Sequence, residues 1–253
     1  MASREPVSAV LITLNAASQL ESCLRSLAFA DEVLVVDCGS QDATLSIAQQ
    51  CGARVVHQEW LGYGAQKRYA VTQAQHDWVL CVDADEQVSD ALRDAIAQAL
   101  VAPTAAGFEM PRRNRFLGRW LKHGEGYPDW SLRLFIRKQG NWSEHKVHEK
   151  VQVQGSVARL RGDLLHDSAE DLASYCAKQN RYTSLQAQDS FARGKRAHFA
   201  QLLLSPVLRF IKFYFFRLGF LDGAPGLVHI AIGCHNSLMK YAKLLALQQG
   251  RSR

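Results

Sequence analysis

Short apolar runs alternate with stretches in which apolar residues recur every three or four positions through residues 7–100. Val7 to Thr13 (VSAVLIT) is apolar and rich in β-branched residues, which predicts a buried strand. From about Ala16 to Leu27 the apolar positions are Leu20, Cys23, Leu24 and Leu27, a helical period. Glu32 to Asp37 (EVLVVD) predicts a second buried strand, and Asp42 can cap a helix running to about Cys51. Arg54 to His57 predicts a third strand, Gly64 to Gln75 a helix, and Trp78 to Val82 a fourth strand. Ser89 can cap a helix through Leu100, with Leu92, Ile96 and Ala99 as its inward stripe. Strands alternating with helices imply an α/β domain, with a mostly parallel sheet and helices on both faces. Ligands of such sheets sit beyond the carboxyl ends of the strands. Polar residues just after strands therefore become candidates: Asn15, Asp37 and Asp83 to Glu86.

The pattern changes after residue 105. Residues 112–127 (RRNRFLGRWLKHGEGY) are basic and aromatic with no clean period, and are expected to form a functional loop with one helical turn. Trp130 to Lys138, and then about Val147 to Leu165, look like strands, and from Ser168 onward the chain reads as helical. The expected division is a domain over 1–167 and a helical region over 168–253.

Charge sharpens that division. Residues 1–100 carry 6 Lys and Arg against 13 Asp and Glu, whereas residues 193–253 carry 10 Lys and Arg against the single acid Asp222. The two ends are expected to meet different partners. Six scattered Cys, with no C-x-x-C pair, suggest free thiols in a reducing cytoplasm. MASREPVSAV has no apolar core, so no secretory signal is expected. Phe199 to Leu221 is apolar and aromatic enough to suggest a membrane span, but Pro206 and three cations argue against crossing. At about 100° per residue, Arg209, Lys212 and Arg217 share one sector of roughly 140°, opposite an aromatic face. Two readings stand: a helix lying in a bilayer interface, where anionic lipid would attract the basic tail, or a helix packed on protein. Few stacking aromatics interleave with cations elsewhere, so no nucleic-acid partner is expected.

Two carboxylates follow the fourth strand at i and i+2, Asp83 and Asp85, with Glu86 next. Both acids would reach the strand-end crevice, where Mg²⁺ or Mn²⁺ takes oxygen ligands together with substrate phosphates. A solvated turn would look the same. Asp37, in DCGSQD, can accept hydrogen bonds from a nucleoside. A dinucleotide fold also places an acid there, but the first turn, Thr13-Leu14-Asn15-Ala16-Ala17, contains no Gly to admit a pyrophosphate. Arg133, in WSLRLF, offers a fork suited to a donor pyrophosphate, or is a solvated strand residue.

SAVLITLNAASQLESCLRSL, DEVLVVDCGSQDAT and DWVLCVDADEQVSDAL, in this order and spacing, resemble family 2 glycosyltransferases with a GT-A fold. The resemblance covers about residues 7–167, and LGFLDGAPGLVHIAIGCHNSLMKYAKLL resembles the same family more loosely. The nearest branch is the lipopolysaccharide inner-core β-glucosyltransferases, which link glucose to heptose. The resemblance implies that Thr13 and Asn15 line a nucleotide pocket and that Asp37 contacts the base. It implies that Lys67 faces the nucleotide or its phosphates, that Asp83 holds the ribose or the metal, and that Asp85 is the principal metal ligand. Asn15-Ala16 departs from relatives in which an acid follows the Asn.

The resemblance also implies an inverting hexosyl transfer from a UDP-sugar, with a divalent metal (Mn²⁺ or Mg²⁺). An inverting enzyme needs a base for the acceptor hydroxyl. Glu149 in EHKVHE lies where this family places it, with Glu144 as rival. A late His of similar enzymes completes the metal shell, a role open to His166, although a lone His is commonly a satisfied polar residue. Arg112, Arg113 and Arg115, with Arg119 and Lys122, would cradle an acceptor bearing phosphates and carboxylates, as the lipopolysaccharide core does. The implied location is the cytoplasmic face of the inner membrane, as a peripheral protein. The rivals are a polyprenyl phosphate or protein acceptor, a nucleotidyltransferase, and a non-enzymatic nucleotide-sugar-binding membrane module.

Overall fold

The structure, a computed structural model, describes residues 4–143, 149–168 and 171–250. The chain separates into two compact units, Met1–Arg112 with Asp129–Asp167 and Arg113–Pro128 with Ser168–Arg253.

The first unit begins β1 (Val7–Thr13), α1 (Ala17–Ser26), β2 (Glu32–Asp37), α2 (Thr44–Gln50), β3 (Arg54–His57), α3 (Tyr63–Gln73), β4 (Trp78–Cys81), β5 (Glu86–Val88) and α4 (Asp90–Ala99). It continues through β6 (Gly107–Phe116), whose end passes into the second unit with β7 (Arg119–Trp120). It resumes with β8 (Asp129–Ile136), β9 (Gly140–Trp142), β10 (Val151–Val153), β11 (Val157–Arg159) and β12 (Leu164–His166). The main sheet runs β3-β2-β1-β4-β8-β6-β12-β5. Its β3-β2-β1-β4 half is parallel, whereas β8 joins β4 and β6 antiparallel, and β12 joins β5 antiparallel.

Alternation along the parallel strands builds two cores. Ala9, Leu11, Val35, Leu80 and Val82 point to the face covered by Leu20 and Leu24 of α1 and by Leu92 and Ile96 of α4. Val10, Leu34, Val36, Val79 and Cys81 point to the face covered by Ala70 and Val71 of α3. A strand buried on both sides needs apolar residues at every position, which is why VSAVLIT and EVLVVD are nearly unbroken apolar runs. Leu92 and Ile96 are fully buried, and truncating either to Ala should cost about 2–5 kcal/mol. Ser89 caps α4 as expected, its hydroxyl accepting from the Leu92 N–H at 3.3 Å.

The second unit holds the 113–128 hairpin, α5 (Leu172–Ala192), α6 (Phe199–Phe210) and α7 (Gly223–Gly250). Wide helical turns at Ile211–Phe216 and a tighter turn at Gly219–Asp222 lead from α6 to α7. Two expectations need correction here. Residues 112–120 are not a loop: β6 extends to Phe116 and turns back through Leu117 and Gly118, both with positive φ, to pair Phe116 with Arg119. The turn lacks the Asn-Gly signature of such hairpins, and arginine-rich strands hide their period. Arg209 does not lie on a solvated basic face, because its guanidinium is ion-paired with Glu125 within the same unit. Arg217 is exposed, and its guanidinium donates to the Tyr127 carbonyl at 3.2 Å. Asp222 is buried and accepts the backbone N–H groups of Lys122 and His123 at 2.9 and 2.8 Å, pinning the hairpin segment to the start of α7.

Candidate functional site

The site lies at the carboxyl ends of β1, β2 and β4. Thr13, at the end of β1, donates its hydroxyl to Asp37 Oδ1 at 2.8 Å. The other Asp37 oxygen accepts the Gly39 and Ser40 N–H groups at 2.9 and 2.8 Å, and the Ser40 hydroxyl donates to Oδ1 at 2.5 Å. Burial opposes ionisation of Asp37, but these donors, led by Ser40, hold its carboxyl below the usual range. Asn15 has a positive φ of 51°. Its N–H donates to the Ser40 hydroxyl at 2.8 Å, and its side-chain oxygen accepts the Gln41 N–H at 2.9 Å. Asp37 is 1% exposed with four donors, so in this structure it shapes the two strand-end turns and offers a base no open lone pair. Ser40, which the motif reading passed over, ties Asp37 to Asn15.

Asp83 is the centre of a charged cluster. Its two oxygens meet Lys67 Nζ and Arg133 Nη2, each at 2.8 Å. Burial opposes its charge, but Arg133 and then Lys67 hold the Asp83 carboxyl well below the ordinary value. The same Arg133 nitrogen donates to Glu86 Oε1 at 3.0 Å, and Arg112 Nε lies 2.7 Å from that oxygen, off the hydrogen-bond axis. Glu86 is fully buried, and its Oε2 accepts the Asp83 N–H at 3.0 Å. Arg133 is 7% exposed, and its Nη1 has no hydrogen-bond partner among the described residues. The Trp142 ring forms a floor, with Lys67 Nζ 4.4 Å and the Arg133 guanidinium carbon 5.5 Å from its centre. Burial pushes the adjacent Cys81 thiol up to about 11, so it stays neutral. Lys67, Asp83, Val10 and Trp142 line a small cavity of about 10 Å³ here.

Asp85 and His166 come together through sheet register. β12 pairs with β5 so that His166 stands opposite Glu86, and the Asp167 N–H donates to the Asp85 carbonyl at 3.1 Å. His166 Nε2 then lies 3.1 Å from Asp85 Oδ2, with the two side chains 16% and 32% exposed. Among the described residues, no group of three or more His, Cys, Asp or Glu side chains gathers as a metal cage. One carboxylate oxygen and one imidazole nitrogen fit a divalent ion that takes its other ligands from substrate phosphate and water.

The remaining candidates are placed less centrally. Glu149 is half-buried just before β10, where Trp142 faces Val151 and the Ser143 N–H donates to the Lys150 carbonyl at 2.8 Å. Glu149 thus lies between β9, which carries the Trp142 floor, and β10, while Glu144, His145, Lys146, Val147 and His148 lie outside the described residues. The three arginines do not form one cradle. Strand alternation turns Arg112 inward onto Glu86 and Asp129, and puts Arg113 and Arg115 on the other face of β6. Arg113 Nε donates to the Leu121 carbonyl at 3.3 Å, and the Arg115 guanidinium lies 5.9 Å from the Trp120 ring.

The family model for glycosyl transferase family 2 matches residues 8–156. The lipopolysaccharide core biosynthesis glycosyltransferase LpsC of Rhizobium meliloti (strain 1021) is 30% identical over 247 residues, covering 94% of this chain and 92% of its own. A glycosyltransferase of Rickettsia bellii (strain RML369-C) is 30% identical, covering 95% of this chain and 86% of its own. Among solved structures, Staphylococcus aureus TarS 1-349 in complex with UDP-GlcNAc has a TM-score of 0.51 at 15% identity, covering 97% of this chain and 92% of that one, a likeness of fold. With the motifs, the parallel half-sheet and the acidic strand-end cluster in place, the chain belongs to glycosyltransferase family 2 and is a GT-A-fold transferase.

Proposed function

We propose that the chain transfers a hexose, glucose from UDP-glucose, with inversion to the heptose region of a lipopolysaccharide inner-core acceptor. The observation that carries this reading is the joined pair of clusters after β4: Asp83 with Lys67 and Arg133, and Asp85 with His166. The acceptor class is supported by the similarity to LpsC over nearly the whole of both chains.

In this reading Thr13, Asn15 and the Asp37–Ser40 turn frame the nucleotide. Lys67 and the unpartnered Nη1 of Arg133 hold the diphosphate, and Asp83 fixes both cations where the phosphates arrive. Asp85 and His166 would hold Mn²⁺ or Mg²⁺, which when bound offsets the charge of the departing diphosphate. Glu149 accepts the proton of the acceptor hydroxyl as its oxygen attacks the anomeric carbon and the bond to UDP breaks. Arg113 and Arg115 are offered to anionic groups of the acceptor.

The apolar stretch Phe199–Phe216 is long and apolar enough by composition to cross a membrane, with a mean hydropathy of 1.3. Pro206 and the exposed Lys212 within it favour lying flat. Phe199, Leu208 and Phe216 are 69%, 61% and 79% exposed, and would rest on the cytoplasmic face of the inner membrane, drawn to anionic lipid.

The test is calorimetric titration with UDP and UDP-glucose, each with Mn²⁺ and with EDTA, followed by transfer to purified inner-core acceptor. Metal-dependent binding of both ligands and formation of glucosylated core support the proposal. Binding without transfer to the core, but with transfer to a polyprenyl phosphate or a protein, overturns the acceptor. No binding of any uridine nucleotide overturns the donor.

A further inference from the structure

The second unit contains its own polar cavity, of about 170 Å³, formed by α5, α7, Glu125 and Arg209. At roughly 30 Å³ per water it holds about six waters, or a single sugar ring. Its lining has the chemistry of a carbohydrate site: the amides Gln179 and Asn236, the hydroxyls of Thr183 and Ser237, and the rings of Tyr175 and Tyr182. Such walls are unusual inside a helical bundle, where apolar side chains would give a tighter core.

Three features show a cavity held open rather than left unfilled. First, a Cβ at residue 233 would stand 2.2 Å from Glu125 Oε2, so Gly233 lets that carboxylate lie against α7. Glu125 is held there by Arg209, whose Nε donates to Oε2 at 3.1 Å. Second, Asn236 donates to Gln179 at 2.9 Å across α7 and α5, and the Ser205 and Ser237 hydroxyls share a bond of 2.6 Å. These bonds fix the amide and hydroxyl on the wall. Third, His229 is wedged against Phe116 and Tyr175, with ring centres 5.1 and 6.3 Å away. Its Nε2 meets the Tyr175 hydroxyl at 3.4 Å, while its Nδ1 is buried without a hydrogen-bond partner among the described residues. A buried polar atom left unsatisfied is costly, and a ligand hydroxyl would relieve it.

The charges on the wall select further. Glu125 and Arg209 offset each other, and Lys240, 4.5 Å from the Tyr241 ring centre, leaves the lining with one net positive charge.

We propose that this cavity is a second sugar-binding subsite, separate from the donor site, that takes one sugar ring bearing a single anionic group. The ring meets Tyr175, Tyr182 and the amides, a hydroxyl meets His229 Nδ1, and the anion meets Lys240. The proposal rests on the acceptor being a glycan, and not on which hexose is donated or whether metal is bound.

The test uses the full chain without donor or metal, with the histidine rings isotopically labelled. Glucuronic acid, glucose 6-phosphate and neutral glucose are titrated separately while the His229 imidazole is followed by NMR. Saturable shifts with either anionic sugar, with glucose at least about tenfold weaker, are expected from one charge-assisted contact. A carboxylate source and a phosphate source are told apart by which of the two anionic sugars binds more tightly. The partly exposed Lys240→Met should weaken the anionic sugar by about tenfold and leave glucose unchanged. Unmoved His229 signals with all three sugars, or equal affinities that Lys240→Met does not alter, would overturn the subsite. Since UDP binding is measured separately, failure here leaves the donor-site reading standing, and the converse holds.

Discussion

Arg133→Met is the most exacting perturbation of the charged cluster after β4. Met keeps much of the stem volume but removes the guanidinium that contacts Asp83 at 2.8 Å and Glu86 at 3.0 Å. Stripping one partner from a buried pair costs about 3–5 kcal/mol, because the other charge stays buried. Here each carboxylate keeps a second cation, Lys67 for Asp83 and Arg112 for Glu86. Asp83 is also 29% exposed at its side chain, so water recovers part of its solvation. The loss should therefore fall near the lower end, about 3 kcal/mol, or roughly a hundredfold in the folding equilibrium. Urea unfolding at neutral pH, followed by the fluorescence of Trp78 and Trp142 in the first unit, measures it. Arg133→Lys should recover part of the loss, since one ammonium cannot meet both acids with Arg geometry. A loss below about 1 kcal/mol, or no difference between Lys and Met, would refute the claim that Arg133 bridges Asp83 and the buried Glu86.

Asp85→Asn should leave stability within about 0.5 kcal/mol, because this side chain is partly exposed, while abolishing the metal dependence of UDP binding. Equal titrations of variant and parent with Mn²⁺ would remove Asp85 as a ligand. Ser40→Ala should cost about 1–2 kcal/mol and raise the donor KM, because Asp37 and Asn15 both lose a bond; unchanged KM and unfolding midpoint would show that the turn holds without it. The Asp83 carboxyl is held below its ordinary value of 3.8, so the unfolded chain binds the extra proton. Its stability contribution is present above about pH 4 and is lost as pH falls through the folded value, and Asp83→Asn should flatten acid unfolding. Lys212→Glu with Phe216→Asp should release the protein from anionic vesicles; unchanged co-sedimentation would mean that another surface binds lipid.

The parallel half of the sheet was legible because doubly buried strands must be apolar throughout, as in VSAVLIT and EVLVVD, and strand ends then pointed to Asp37 and Asp83. What the sequence concealed depends on register. Glu86 reads as a third acid in a turn, yet it is the fully buried anchor of Arg133 and Arg112. Trp142 ends a three-residue strand too short to show a period, and only the pairing of β9 with β10 and the approach of α3 place it under Lys67. Arg112, Arg113 and Arg115 looked like one basic loop until strand alternation separated them. Asp37 was found correctly as a strand-end acid, but four donors close it off, which no motif reveals.

The position of β12 also sets when the enzyme can exist. In the sheet order β12 lies between β6 and β5, so β5 has no neighbour on its inner edge until residues 164–166 arrive. A ribosome that has delivered every motif up to Glu86 has therefore delivered Asp85 without its imidazole partner. Closing that long chain segment carries the entropy of a distant contact and is expected late in folding. The Asp85–His166 pair is thus a mark of completion: a chain stalled before His166 holds the strand-end turns after β1, β2 and β4 but not that pair, and on the proposed metal role it is not expected to turn over sugar nucleotide while still tethered.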